Sequence, residues 1–498
     1  MADKIKYYDT SKIDTPFMGQ SVDDMMMAAK NGRFVFERHW YDNNWFDDGH
    51  HFRFLSRQQN KIIDLTERAN MYAPIRTIPK ASKQIRGIVN LLTSNDLVPV
   101  VYPERVEKTN FENEEEYLKA KQQAKFVAKR IGHWLEEEFK KQDIINKITH
   151  MGLLTAKHAV SYLQIVPDAE REEIRTIPRD AFDVYLIGEN IEVEDSPFVV
   201  IGYPKNIAEI KANEDYDEAQ RMSISPDNRL ASSEIKEAYM KARFGRQFHS
   251  DASATITLKE AYIKEHLCEE NRDRISEQEN GGDILQGKKD GDVVIRQTFV
   301  AGNIWLRDEY IELPHYPIVD LRFEPGAIYQ VSLIERFMSS NKSLDQVVSR
   351  VERFTHTMGV GVWTKKAGEQ FNITNQAGGQ IVEYKAVPPQ QANLAPMPAY
   401  IFNFIELLTS FIEEQGLSVS TLNKVPKGVE AARAIEALKE TEYSNLIMAN
   451  RMLKKTLKTI AERFMDLGDR YFVKEKEVSL IDKGEPEYFD IIGKTTMD

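Results

Sequence analysis

The feature that most constrains this chain is the stretch from Ile328 to Leu467, where the hydrophobic period switches between helix and strand in a fixed order. Leu333, Phe337, Leu344, Val347, Val351, Phe354 and Met358 recur at steps of three, four or seven. That spacing keeps one helical face apolar over about eight turns. The pattern then breaks into short apolar runs, Val360, Val362 and Trp363, later Ile381, Val382 and Tyr384, separated by Gly, Asn and Gln. Such runs predict strands and turns. Pro388, Pro389, Pro396 and Pro398 close the insert, and Ile401, Phe404, Ile405, Leu408 and Ile412 restore the helical period. A polar loop runs from Gly416 to Gly428 with Pro426 inside it. Beyond it Ile435, Leu438, Leu446, Met452, Leu453, Leu457, Ile460, Phe464 and Leu467 mark one helix. It has about forty residues and a length of roughly 60 Å at 1.5 Å per residue.

This order of pieces resembles the core of the portal proteins of tailed bacteriophages. The matching stretches are YQVSLIERFMSSNKSLDQVVSRVERF, the β insert, FNFIELLTSFIEEQGLS and TLNKVPKGVEAARAIEALKE. The resemblance is one of architecture, since that family has no invariant catalytic motif. It implies an elongated α+β subunit. Residues 1–327 would form a wing, 328–358 a first stem helix, 359–397 a small α/β clip and 398–415 a second stem helix. A tunnel loop at 416–428, a long wing helix at 429–467 and a crown or wing segment at 468–498 would complete it. The implied function is a ring of about twelve subunits at one capsid vertex, the conduit for DNA packaging and ejection. Partners implied are double-stranded DNA in transit, the large terminase subunit, head-completion, adaptor or tail proteins, and the major capsid and scaffolding proteins. Its place would be the virion, and the host cytoplasm during assembly.

The resemblance also assigns residues. Leu422, Asn423, Lys424, Val425 and Lys427 fall where the family's loop touches passing DNA. Lysines repeated around a ring give weak, salt-sensitive phosphate contacts. The same loop also reads as a plain connector. On the second stem helix Glu406, Ser410, Glu413 and Glu414 would line an acidic channel that repels phosphates, or else form an ordinary solvated face. Trp363, Lys365, Lys366, Phe371 and Tyr384 are the candidate clip contacts, and Trp363 serves equally well as that module's own core.

Bulk properties fit this reading. The chain has 498 residues, 42% of them hydrophobic, which is ample for two or more domains. A net charge of −12 argues against general nucleic-acid binding by charge alone, though not against a passage through which DNA slides. Cys268 is the single cysteine, so no intrachain disulfide forms and a thiolate metal site is not expected. The N-terminus MADKIKYYDTSKIDTPF lacks a signal-peptide core, and no apolar run is long enough to span a membrane. A soluble protein, cytoplasmic when made, is the expectation.

Upstream, residues 1–60 read as an aromatic arm that docks on a neighbour or packs on its own wing. His39, Asp42, Asp47, His50 and His51 match no metal-ligand spacing. A helix is predicted from about Lys80 to Leu92 with a strand after it, a second from Glu114 to Ile148, and a third from near Asp143 towards His158. Strands follow at AVSYLQIV, AFDVYLIG and FVVIGYP, giving an α+β wing. Residues 205–250 are charged and helix-prone and read as a surface excursion. TITLKEAYIKEH, DVVIRQTFVAG, NIWLRDEYIEL and YPIVDLRFEP predict a small barrel or sandwich over 255–325, with a polar insert at 268–291. A strand is expected around EKEVSLI.

No catalytic role, cofactor or metal is expected. Gly282 to Lys288 matches half of a phosphate-binding loop. Lys289 stands where that loop needs Ser or Thr, and a strand follows where it needs a helix. A hairpin tip is the better reading. The competing class is another multimeric phage structural or scaffold protein with a long helical hairpin.

Overall fold

The computed structural model describes residues 13–56, 62–65, 75–94, 99–103, 113–168, 173–187, 192–244, 254–278, 281–358, 362–367, 380–384, 398, 400–416, 446–471, 476–482 and 485–491. The chain divides into two compact units. One holds Met1–Arg38, Val89–Val331 and Asn445–Asp498; the other holds His39–Ile88 and Ser332–Ser444.

Helix α1 runs Met18–Asp47, where the sequence reading placed only an arm. Its first half buries Met18, Val22, Met25 and Ala29 at one-turn spacing. Strands β1 (Arg53–Leu55) and β2 (Ile62–Asp64) pair antiparallel. Helix α2 (Lys80–Thr93) lies where it was expected. The strand expected after it is not seen in the described residues 99–103. Helices α3 (Glu114–Lys141) and α4 (Ile144–His158) are separated by Asp143, whose left-handed φ of 52° ends helical continuity well before Ile148.

Strands β3 (Val160–Asp168) and β4 (Glu173–Arg179) form a hairpin, and β5 (Val184–Tyr185) pairs with β6 (Phe198–Asn206). Three short helices follow, α5 (Ile207–Ala212), α6 (Glu218–Ser223) and α7 (Glu234–Phe244). This corrects the surface-excursion reading. Ile207, Ile210, Tyr216 and Ile224 are few, yet all are buried against Ile256, Leu258, Ala301 and Leu306.

Strand β7 (Thr255–His266) is joined to β8 (Val293–Ala301) through α8 (Glu269–Ser276) and α9 (Gly281–Leu285), and β9 (Ile304–Ile311) closes the run. No separate barrel forms. β5, β6, β7, β8 and β9 make one antiparallel sheet in that order, while β10 (Ile318–Arg322) leaves it and pairs with β3. The central strands of the five-stranded sheet are buried on both faces, with Phe198, Val199, Val200 and Ile201 of β6 all inside. Phe198, Val200, Ala261 and Ile263 face the first half of α1.

Helix α10 (Leu333–Met358) starts at Leu333, later than its predicted start at 328. Strands β11 (Val362–Lys366) and β12 (Gln380–Tyr384) lie in the insert, and α11 (Tyr400–Gln415) follows. The described part of the long helix is α12, Ile447–Tyr471, which runs past the predicted end at Leu467. The predicted portion 429–445 lies outside the described residues. The C-terminal segment holds two strands rather than one, β13 (Lys476–Asp482) and β14 (Glu485–Ile491).

The core of the first unit sits on the three-stranded sheet β10-β3-β4. Trp134, Leu135 and Phe139 of α3, Ile148 and Met151 of α4, and Leu453, Ile460, Phe464 and Leu467 of α12 bury against Leu163, Ile165, Ile174, Val319 and Leu321. Each such side chain contributes about 1.5–3 kcal/mol by leaving water. The α12 residues lie at steps of seven, four and three, so the apolar period seen in the sequence is the packing face. Helices and mostly antiparallel sheets together make an α+β arrangement.

Candidate functional site

The site is built on α10 and α11, which pack on one another with the β insert between them in sequence. α10 begins with a Ser-x-x-Glu cap. Ser332 and Glu335 bond through the Ser332 N–H (3.3 Å) and its hydroxyl (2.8 Å), and the Asn43 amide donates to both side chains at 2.9 Å. Further along, Asn341, Asp345, Ser349 and Glu352 form a polar stripe at about one-turn spacing. This stripe anchors the segment from Arg76 to Ala81, which leads into the first turn of α2. Asn341 accepts from the Ala81 N–H (3.0 Å), Asp345 from the Ile78 N–H (2.8 Å), Ser349 from the Arg76 N–H (2.9 Å) and Glu352 from the Arg76 guanidinium (2.9 Å).

Asp345 is fully buried and also meets Nδ1 of buried His51, whose ring stacks on Phe46 at 4.0 Å. The histidines and aspartates of the N-terminal arm are therefore dispersed into packing roles. His39 faces Glu335 at 3.3 Å and His50 lies edge-on to Trp45. Asp42 accepts from the Leu55 N–H, and Asp47 pairs with Arg86. No spacing rule would have found the His51–Asp345 pair, because its members lie 294 residues apart.

α11 carries three faces. Leu408 and Ile412 are buried, with Ile401 and Ile405 beside them at helical spacing. At the C-terminal end Gly416 meets the Gln84 side chain and Phe337 so closely that a Cβ there would lie 2.8 Å from Gln84 Oε1. A second face, Tyr400, Phe404, Leu407 and Phe411, is apolar and open to solvent, at 69%, 43%, 45% and 41% exposure. Phe404, which belongs to the apolar period read from the sequence, is exposed within this subunit. A third face holds Glu406 and Glu414, both exposed, with Ser410 and Glu413 half-buried. The Ser410 hydroxyl donates to its own helix at the Leu407 carbonyl, 2.9 Å. At 100° per residue Glu406, Ser410 and Glu413 lie well away from Tyr400, Phe404 and Phe411, whereas Glu414 falls about 20° from Leu407 and the exposed Phe402 about 20° from Glu413. The apolar face continues into a groove of about 730 Å³ lined by Val347, Val351 and Phe354 of α10 and by Ile401, Phe404 and Leu407.

Within the insert, β11 and β12 pair in parallel, with Trp363 opposite Ile381, Lys365 opposite Glu383 and Lys366 opposite Tyr384. The predicted strand positions and these pairings agree. Phe371 and the loop residues Leu422, Asn423, Lys424, Val425 and Lys427 lie outside the described residues.

The half-match to a phosphate-binding loop dissolves on inspection. Gly282 sits inside α9, Gly287 turns at φ +74°, and Lys288 donates to the Val293 carbonyl at 3.3 Å. The segment lies in the connection between the antiparallel neighbours β7 and β8, where α8 and α9 stand in place of the expected hairpin tip.

A buried ionisable cluster lies in the other unit. Lys236 reaches Asp183 at 2.7 Å and Asp180 at 3.4 Å, and His158 Nδ1 lies 3.4 Å from Asp180. Burial pushes His158 down to about 4 despite the neighbouring Asp180. Burial alone would raise Asp180, but Lys236, His158 and the Phe182 N–H bring it down to about 2. These charges neutralise one another and tie α4, α7 and the turn before β5 together. The sequence reading missed this cluster and the exposed apolar face of α11.

Among the described residues, no group of His, Cys, Asp and Glu is arranged to hold a metal ion, and no helix is long and apolar enough to cross a membrane. No protein-family model matches the chain, and comparison with curated proteins yields no match.

Proposed function

We propose that this chain is a portal-type subunit that assembles into a closed ring and forms a conduit for double-stranded DNA. The observation that carries the reading is the three-faced helix α11. One face binds α10 within the subunit. The solvent-exposed apolar face, with Phe404 and Leu407 at its centre, would bury against the next subunit. The acidic side with Glu406 and Glu413 is then left for a lumen, where carboxylates keep phosphates from adhering. A helical pair interrupted by a small β module fits the stem and clip of such a subunit. The module with Trp363, Lys365, Lys366 and Tyr384 would dock the packaging motor and later the adaptor or tail proteins. Lys424 and Lys427 would make the transient phosphate contacts.

The test is the particle mass of the purified chain by light scattering, with end-on views in negative stain. The expected result is a closed ring of about a dozen subunits. Phe404→Glu with Leu407→Glu is expected to leave a folded monomer with an unchanged circular dichroism spectrum. A stable dimer or a filament from the native chain would favour a scaffold protein instead. Rings that persist in the double variant would remove the apolar face of α11 from the interface.

A further inference from the structure

Helix α3 separates its charges along its length. Glu114, Glu115 and Glu116 fill its first turn, where carboxylates complement the helix dipole. From Tyr117 to Leu135 there is then no acidic residue, while Lys119, Lys121, Lys125, Lys129 and Arg130 all fall in that interval. In a chain of net charge −12 this is a marked local reversal. All four lysines are exposed. Lys121, Lys125 and Lys129 recur every fourth residue, which sets their charges about 6 Å apart along one side of the helix.

The packing sets this half of the helix apart as well. None of its residues before Ala128 is buried. Its helical state rests on the strong propensity of Ala, Lys, Gln and Glu rather than on a core face. Nearer the C-terminus the pattern changes, and Lys140 and Lys141 are paired with Glu136 and Glu173. Among the described residues Lys119, Lys121 and Lys125 make no ion pair. Phe126 stands 58% exposed beside them, with the Arg130 guanidinium 5.5 Å from its ring centre.

We infer that the first half of α3 is a binding surface for the phosphate backbone of double-stranded nucleic acid. Evenly spaced ammonium groups are point charges that contact phosphates without reading bases. A bilayer surface would need a broad apolar face beside the basic one. Here Leu118 and Phe126 stand apart, separated by Gln122 and Gln123. The surface lies outside the stem and the loop and does not depend on ring formation.

The experiment is fluorescence anisotropy of a labelled duplex of random sequence with the full chain, against salt concentration. The comparison is Lys121→Glu, Lys125→Glu and Lys129→Glu in one variant, the three lysines on one side of the helix. Duplex affinity at low salt is expected to fall at least tenfold. The log–log salt slope should become shallower by about 2.7, from roughly 0.9 per lost phosphate contact. Particle mass and circular dichroism should not change, and Lys424→Glu with Lys427→Glu should keep the α3 contribution. Unchanged binding in the triple variant would overturn the inference and place DNA at another site. Absence of duplex binding by the native chain would also overturn it. So would preferential binding of polyglutamate or of phosphatidylserine vesicles, which would make the partner an acidic protein or a membrane.

Discussion

At the scale of single residues, this fold is organised by buried polar groups that each hold several segments. Arg33 is fully buried, pairs with Glu37 at 2.7 Å and donates to the carbonyls of Ala181 and Phe182 at 3.0 and 2.7 Å. Leaving any one of these partners unmatched costs about 1–3 kcal/mol. His158 permits a sharper prediction because it titrates. Its folded value of about 4 lies below the ordinary 6.5, so the unfolded chain takes up the proton first. The contribution is therefore complete above about pH 6.5 and is lost as pH falls towards 4. By pH 4.5 the loss should reach about 2–3 kcal/mol. In urea melts His158→Gln should flatten the fall in midpoint between pH 7 and pH 4.5. An equally steep fall in the variant would show that other groups carry the acid sensitivity. None of this was legible beforehand. His158 lies far in sequence from Lys236, and the chain places them together only through tertiary packing.

At the scale of elements, legibility followed the purity of the apolar period. α10, α11 and α12 were readable because their hydrophobic residues recur every three or four positions, and those of α12 are the ones buried. α1 escaped because its buried side includes Arg33 and Glu37, and its aromatic residues cluster only near its end. β4, EIRTIPR, escaped because its alternation is carried by Ile174 and Thr176 among charged residues. Strand existence over 255–322 was readable, but the choice of sheet was not, since β10 pairs with β3 more than 150 residues away, at Ile318 opposite Gln164. Helix packing itself gives a paired prediction. A Cβ on Gly152 of α4 would lie 2.9 Å from Val89 of α2, whereas one on Gly132 of α3 would have only Val101 at 4.0 Å. Gly152→Val should destabilise by about 1–3 kcal/mol through overpacking. Gly132→Ala should stabilise by up to about 1 kcal/mol through helix propensity. Thermal unfolding of the two variants decides this, and a stabilised Gly152→Val would refute the close crossing.

At the scale of the whole molecule, both units are assembled from separate stretches of chain, so neither is a contiguous sequence domain. The order of α10, β11, β12, α11 and α12 follows the changes of apolar period along the second half of the chain, and residues 417–445 lie outside the described residues. What remains testable is the physics of assembly. Each subunit has a net charge of −12, so bringing copies together concentrates like charge. In the proposed assembly the apolar face of α11 would supply attraction that salt does not screen. Raising ionic strength from 0.1 to 1 M shortens the Debye length from about 10 to 3 Å, which weakens the repulsion and leaves apolar burial in place. Sedimentation velocity across that range should therefore show a growing assembled fraction. Over the same range duplex binding through the α3 lysines should decline, so the two equilibria respond to salt with opposite signs. Assembly that instead weakens with salt would mean that ion pairs between subunits hold the particle together, and the exposed face of Phe404 and Leu407 would not be its interface.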